Sequence, residues 1–213
     1  PVCEESTIIT KAPRRMRRSH RRAQVVEVAL DIVAKRGVQG ATVARIAAGA
    51  GVTPAALYGH FANRKEILVS ALDVLFDRIR AVNRSSTHTN ALERLREIGL
   101  HHTKLVASKD DGFVFPLFEF IAAPPDEGLR EELRVRQMER IEELVEIVRD
   151  GQRQGTIALE ADPYQVAWLI VVKAWAEDVA ELMGVTGEWD KERSVRFLNL
   201  ILESVAVADR STG

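Results

Sequence analysis

Residues 41–61, ATVARIAAGAGVTPAALYGHF, constrain the fold more than any other stretch of this chain. The signals in it are helical, and one glycine divides them. Thr42 stands where it can cap a helix running from Val43 toward Ala50, because its hydroxyl accepts from free amides of the first turn. Gly51 supplies the turn, where positive φ costs a glycine little. Thr53 caps the next helix, and Pro54 takes its first position, where a missing N–H does no harm. Ile46, Ala47, Val52 and Leu57 would seat the two helices on each other, and the small Ala47, Ala48 and Ala50 allow close approach. Gly49 is the exception, since glycine inside a helix costs roughly 1 kcal/mol relative to alanine. The spacing predicts a helix-turn-helix.

The flanking residues add charge. Upstream, KAPRRMRRSHRR (11–22) holds seven Lys or Arg. So many like charges repel and bury nothing, so a disordered arm over residues 1–19 is expected, with Arg17, Arg18 and Arg21 aimed at phosphates. Downstream, Asn63 and Glu66 form a capping box for a further helix. That places Arg64 and Lys65 in its first turn, which the helix dipole disfavours for cations. A phosphate at that helix end would reverse the penalty. Two solvated surface cations are the alternative. A helix-turn-helix beside a basic arm is the layout of a DNA reader.

Three segments, RAQVVEVALDIVAKRG (22–37), TVARIAAGAGVTPAALYGHF (42–61) and NRKEIL (63–68), together resemble the N-terminal domain of TetR-family transcriptional regulators. The match covers about fifty residues and includes the pattern I-A-x-x-A-G-V-x-x-x-x-L-Y-x-H-F. Arg64 replaces the usual lysine, Gly49 is unusual, and Ala56 stands where glycine is common. The resemblance implies an all-α homodimer, with a three-helix DNA-binding domain followed by a helical ligand-binding and dimerisation domain. It also implies that His60 touches the DNA backbone.

The candidate DNA-contacting set is Arg17, Arg18, Arg21, Thr42, Arg45, Thr53, Pro54, Ala55, Ala56, Tyr58, Gly59, His60, Arg64 and Lys65. The second helix of the pair carries no Arg, Asn or Gln, so the usual bidentate base contacts are unavailable from it. Pro54, Ala55 and Ala56 are left to meet thymine methyls. Tyr58 and His60 fit phosphates, which position without specifying.

Charge is divided along the chain. Residues 11–84 hold 15 Lys/Arg against 5 Asp/Glu, and residues 85–213 hold 15 against 24. The polyanion therefore belongs at one end. Cys3 is the only cysteine, so neither an intrachain disulfide nor a cysteine-rich zinc site is expected. His101 and His102 are adjacent on a helix, about 100° apart, and make a poor metal pair; no metal and no cofactor are expected. The longest apolar run, VAWLIVV (166–172), falls far short of the ~20 residues of a membrane span. A cytoplasmic protein without membrane contact is the expectation.

Apolar periodicity predicts helices nearly throughout: 20–36, the pair above, 64–83, 91–107, a short phenylalanine-rich one within 113–123, 126–151, 163–183 and 188–208. The domains expected are an arm over 1–19, a DNA-binding domain over 20–66 and a helical domain over 67–213, joined by the helix 64–83. Val166 and Ile170, with Phe197, Leu198, Ile201, Leu202 and Val205, are the candidate dimer interface. The alternative for them is the interior of one monomer. Phe113, Phe115, Phe118, Phe120, Trp168 and Trp175 are the candidate walls of an effector pocket, and ordinary core packing is the alternative. Lys173, Glu177, Asp178 and Glu181 are polar groups on the same apolar helix as the two tryptophans; they face either solvent or a ligand's polar end.

The expected function is a ligand-responsive transcriptional regulator, a repressor released from a palindromic operator in double-stranded DNA by a small apolar or amphipathic effector. The alternative is a non-specific or architectural DNA-binding protein. No Gly-rich phosphate loop or nucleophile motif speaks for an enzyme.

Overall fold

The computed structural model describes residues 14–84, 86–107 and 114–207; the side chains of residues 14–17, 82 and 114 lie outside that description. The described residues form nine α-helices and no strand beyond an isolated bridge between Ile157 and Ala206. They are α1 (Arg14–Gly40), α2 (Val43–Gly49), α3 (Pro54–Tyr58), α4 (Arg64–Arg84), α5 (Ala91–Ala107), α6 (Val114–Ile121), α7 (Arg130–Gln154), α8 (Pro163–Leu182) and α9 (Lys191–Val205). A short 3-10 turn, Pro125–Glu127, separates α6 from α7.

Two apolar clusters organise them. The first joins α1 to α4 with α6: Val26, Leu30 and Val33 meet Ile46, Leu57 and Phe61 and the stripe Leu68, Leu72, Leu75, Phe76 of α4. The second joins α5, α7, α8 and α9 around Leu95, Leu144, Val148, Ile170 and Leu202. Because α4 gives Ile67 through Ile79 to the first cluster, the apolar packing does not divide after residue 66. α4 meets α7 at its surface through Arg136–Asp73 (2.6 Å), Arg80–Glu139 (3.0 Å) and Arg84–Glu143 (2.9 Å).

Three boundaries differ from expectation. Residues 14–19 are helical rather than disordered; residues 1–13 of the expected arm lie outside the described residues. The helix extends back because its cations find acceptors: Arg18 and Arg22 both donate to carbonyls just past α3, which offsets the repulsion along the run. At the other end, α1 reaches Gly40, but Gly37 has φ 70° and breaks it where the stop was expected. The third difference is at the end of α7. Gly151 does not end that helix. It is buried, and a Cβ there would fall 2.5 Å from the Ile157 side chain and 3.2 Å from Ala91. The stop is Gly155, in the left-handed region at φ 69°, where the C-cap requires it.

Gly49 has a similar explanation. A Cβ at that position would lie 2.7 Å from Val28 Cγ1, so the glycine lets α2 close onto α1. Its helix-propensity cost is the condition for that approach.

Candidate nucleic-acid interface and effector cavity

The helix-turn-helix is built from its caps inward. Thr42 Oγ1 accepts from the Arg45 amide at 3.3 Å, and Thr53 Oγ1 accepts from the Ala56 amide at 3.1 Å. Gly51 takes φ 65° in the turn. Leu57 is the only fully buried residue of α3 and pins it to the first core. Around that anchor Thr53, Pro54, Ala55, Ala56 and Gly59 are exposed, and Tyr58 is 52 % exposed. A short helix held by one leucine thus turns the rest of its surface outward.

The far end of α3 is held by cations from α1. Arg18 Nη2 donates to Gly59 O at 3.1 Å, and Arg22 Nη1 donates to His60 O. Both groups satisfy carbonyls that a helix C-terminus leaves open. Arg22 also lies 4.1 Å over the Phe61 ring and pairs with Glu66 at 2.7 Å. Glu66 accepts in turn from the Ala62 amide at 2.6 Å, and Asn63 Oδ1 accepts from the Glu66 amide at 2.9 Å. The Ala62 amide, followed by Arg22, holds the Glu66 carboxyl below the usual carboxylate range. Arg22 was not in the candidate set. Its partners lie 38 to 48 residues away in sequence, so no local pattern announces them.

The basic candidates divide. Arg21 is exposed and, among the described residues, reaches only Gln24 (2.7 Å). Lys65 is exposed, and Arg45 is exposed with Nη1 on Gly40 O (2.9 Å). Arg17 is within α1, but its side chain lies outside the described residues. Arg64 departs from the expected phosphate contact. Its guanidinium donates to Ala41 O (2.8 Å), Val38 O and the Glu127 carboxylate. Three acceptors consume the fork and fasten the α1–α2 turn to the start of α4 and the 3-10 turn.

The expected aromatic pocket does not assemble. Phe113 lies outside the described residues. Phe120 belongs to the first core, because α6 lies against α1, while Phe118 is half-buried and Phe115 exposed beside Leu30 and Arg78. Trp168 and Trp175 stack edge to face at 5.9 Å on the second cluster, far along the chain from the phenylalanines and in a different core. The two sets sit in different halves of the fold and share no cavity among those described.

The expected dimer residues are also reassigned. Val166, Ile170, Leu198, Ile201, Leu202 and Val205 are buried inside a single chain, with Phe197 packed against them. α8 is apolar around most of its circumference, so the residues facing its own domain were indistinguishable by periodicity from those facing out. The outward-facing apolar residues are instead Val172, Val179 and Met183, beside the half-buried Trp168 and Trp175, and Leu200 of α9 is exposed as well.

What the second cluster does contain is a buried polar network. Lys173, at 0 % exposure, donates to Gly99 O (3.0 Å), Thr103 Oγ1 (2.6 Å) and Glu177 Oε2 (2.8 Å). Ser194 Oγ of α9 donates to Glu177 Oε1, and His102 Nε2 lies 2.9 Å from Asp178 Oδ1. Burial pulls the Lys173 ammonium below its ordinary pKa, against the opposing pull of Glu177. Burial likewise lowers Arg140 of α7 to about 10, against the attraction of Asp178 and Glu143. A cavity of about 230 Å³ opens on this network. Thr103, Glu177 and Ser194 line it, with Val106, Ala107, Trp189 and, around the start of α9, Asp190 and Lys191. Lys173, Glu177 and Asp178 therefore face inward, not solvent. No group of His, Cys, Asp and Glu suited to a metal ion occurs among the described residues.

Comparison with known proteins matches this arrangement. Residues 25–71 match the family described as bacterial regulatory proteins, tetR family. The chain is 36 % identical over 103 residues to the HTH-type transcriptional repressor KstR2 of Mycobacterium tuberculosis, a match covering 43 % of this chain and 50 % of that protein. The aligned region thus spans about half the length of that curated relative. Among solved structures, TylP, a TetR regulator from Streptomyces fradiae, is similar at TM-score 0.70 and 26 % identity, covering 90 % of this chain and 89 % of that one. A TetR transcriptional regulator from Chloroflexus aurantiacus shares the fold at TM-score 0.77 and 20 % identity, covering 91 % and 100 %. The helix-turn-helix region thus matches the tetR family of bacterial regulatory proteins in sequence, and the helical remainder is similar in fold to TetR regulators.

Proposed function

We propose that the chain is a ligand-responsive transcriptional repressor that binds double-stranded DNA as a homodimer. The observation that carries this reading is α3. Leu57 alone is buried, the remaining residues face outward, and Arg18 and Arg22 hold the helix from behind. Pro54, Ala55 and Ala56 offer apolar contact to thymine methyls in the major groove. Thr42, Thr53, Tyr58, Gly59 and His60, with Arg17, Arg18, Arg21, Arg45 and Lys65, contact phosphates and set the register. Arg64 acts through the turn it fastens.

The outward stripe of α8, with Val172, Val179 and the 68 % exposed Met183, supports dimerisation against a second copy. Two-fold symmetry then calls for a palindromic operator, with the two α3 helices about 34–36 Å apart in successive major grooves. The effector enters the C-terminal domain and acts through α4, which is packed into the DNA-binding core and is tied to α7 by ion pairs at its surface. Exposed pairs of this kind are worth about 1 kcal/mol or less each, so they can exchange as α4 tilts. The matched KstR2 of Mycobacterium tuberculosis is named a transcriptional repressor, which supports repression as the direction of control.

Sequencing the genomic fragments that the purified protein selects tests the reading. A single motif with two inverted half-sites is expected. Fragments without a shared motif would make the chain a non-specific DNA-binding protein instead.

A further inference from the structure

The cavity between α5, α8 and the start of α9 has a chemistry of its own, and the inference from it rests on the regulator reading above. We propose that it binds a small amphipathic monocation, with the ammonium at Glu181 and the apolar body against Trp189.

Size sets the first limit. An engineered apolar cavity of about 150 Å³ holds benzene. The 230 Å³ here therefore admits an aromatic ring with a short chain. Charge sets the second. Three carboxylates line the space: Glu177, Glu181 and Asp190. Glu177 is already matched by Lys173 at 2.8 Å and by the Ser194 hydroxyl. Asp190 caps α9 by accepting from the Arg193 amide at 2.8 Å and pairs with Arg193 Nη1 at 2.8 Å. These contacts hold its carboxyl below the usual range. The Glu181 carboxylate has no hydrogen bond or ion pair among the described residues. Lys191 also lines the space but pairs with none of the three carboxylates among the described residues, so the Glu181 carboxylate stays open to a ligand cation.

Apolar contact sets the third. Trp189 is fixed edge-on against Phe197 at 5.8 Å, and Val106 and Ala107 extend the apolar wall. An indole face attracts a cation and covers an apolar ring equally well. The Trp189 Nε1–H is buried without a partner among the described residues and would donate to a ligand oxygen. An anionic ligand would face three carboxylates against one ammonium, Lys191.

The site also has a route outward. Glu177 joins α8 to α9 through Ser194 and to α5 through Lys173, which reaches Gly99 and Thr103. A cation held at Glu181 sits one helical turn from Glu177 on α8, so occupancy bears on the contacts that set α5 against α8.

The test is calorimetric titration of the full chain with phenethylamine, its neutral counterpart phenethyl alcohol, and anionic phenylacetate. The amine should bind about tenfold more tightly than the alcohol, the scale of one charge-assisted contact, and phenylacetate should bind most weakly. Glu181→Gln should remove the amine's advantage and leave the alcohol unchanged. Trp189→Phe should abolish the ligand-dependent tryptophan emission, since Trp168 and Trp175 lie outside the cavity. The proposal is overturned if no probe binds, if the alcohol or phenylacetate binds as well as the amine, or if Glu181→Gln keeps the preference. DNA affinity for a self-selected genomic fragment, measured on the same samples, separates the two readings. DNA binding without amine binding removes this site and leaves the regulator. Amine binding without DNA binding supports the site and removes the regulator.

Discussion

The two cores of this chain bury different things. The first, around α1 to α4, is filled by aliphatic side chains and two phenylalanines, Phe61 and Phe76, with Phe120 from α6. The second holds Lys173, Glu177, Asp178, Ser194, His102 and Thr103 among its leucines and valines. A dry aliphatic core fixes one geometry, which suits a helix that must match a DNA groove. A buried polar network is satisfied in only a few arrangements and is costly when one member is missing. That makes the second core the half in which a ligand can shift the balance between conformations.

The comparison is sharpened first at Lys173. Lys173→Met leaves Glu177 buried beside Ser194 with its cation gone, and should destabilise the chain by about 3–5 kcal/mol in urea unfolding. The double variant Lys173→Met/Glu177→Leu should recover most of that. If the single variant is as stable as the wild type, the network is not a closed polar core. In the first core, Leu57→Ala should cost about 2–5 kcal/mol and detach α3, so DNA affinity should fall with stability. Retained DNA affinity would mean that α3 is held mainly by Arg18 and Arg22. Next is Gly49→Ala. Helix propensity favours alanine, but the 2.7 Å approach to Val28 opposes it. A net loss of about 1–3 kcal/mol, read as a lower denaturation midpoint, is expected from overpacking. A gain would show that α2 is free to move off α1. The smallest effect is at Arg21, which is exposed and, among the described residues, bonded only to Gln24. Arg21→Ala should leave stability unchanged and reduce the salt slope of DNA binding by about 0.9, the value for one phosphate contact. An unchanged slope would place Arg21 off the DNA.

These two halves were unequally legible. The helix-turn-helix could be read because its information is local: Thr42, Gly51, Thr53 and Pro54 each act within four residues. Gly49 was visible as an oddity, but its reason, Val28, lies on another helix. Arg64 and Arg22 show the same limit. A cation in a sequence says nothing about whether carbonyls from elsewhere will consume it. In the second half, Lys173, Glu177, Asp178 and Glu181 were recognisable as polar groups on an apolar helix. Their direction was not, because α8 is apolar on most sides and the choice of inward face is made by α5 and α9. The same ambiguity sent Val166 and Ile170 to the surface and Trp168 and Trp175 to a pocket. Trp189, which no local pattern singles out, lines the cavity instead.

The division of labour between the halves is tested most directly by one crossed measurement. Affinity for a self-selected genomic fragment and for phenethylamine is measured in Tyr58→Ala and in Glu181→Gln. Tyr58→Ala should lose about tenfold in DNA affinity, the scale of one charge-assisted contact, with ligand affinity unchanged. Glu181→Gln should lose ligand affinity with DNA affinity unchanged. If each variant weakened both activities alike, the two cores would not be separate instruments, and the account would be contradicted.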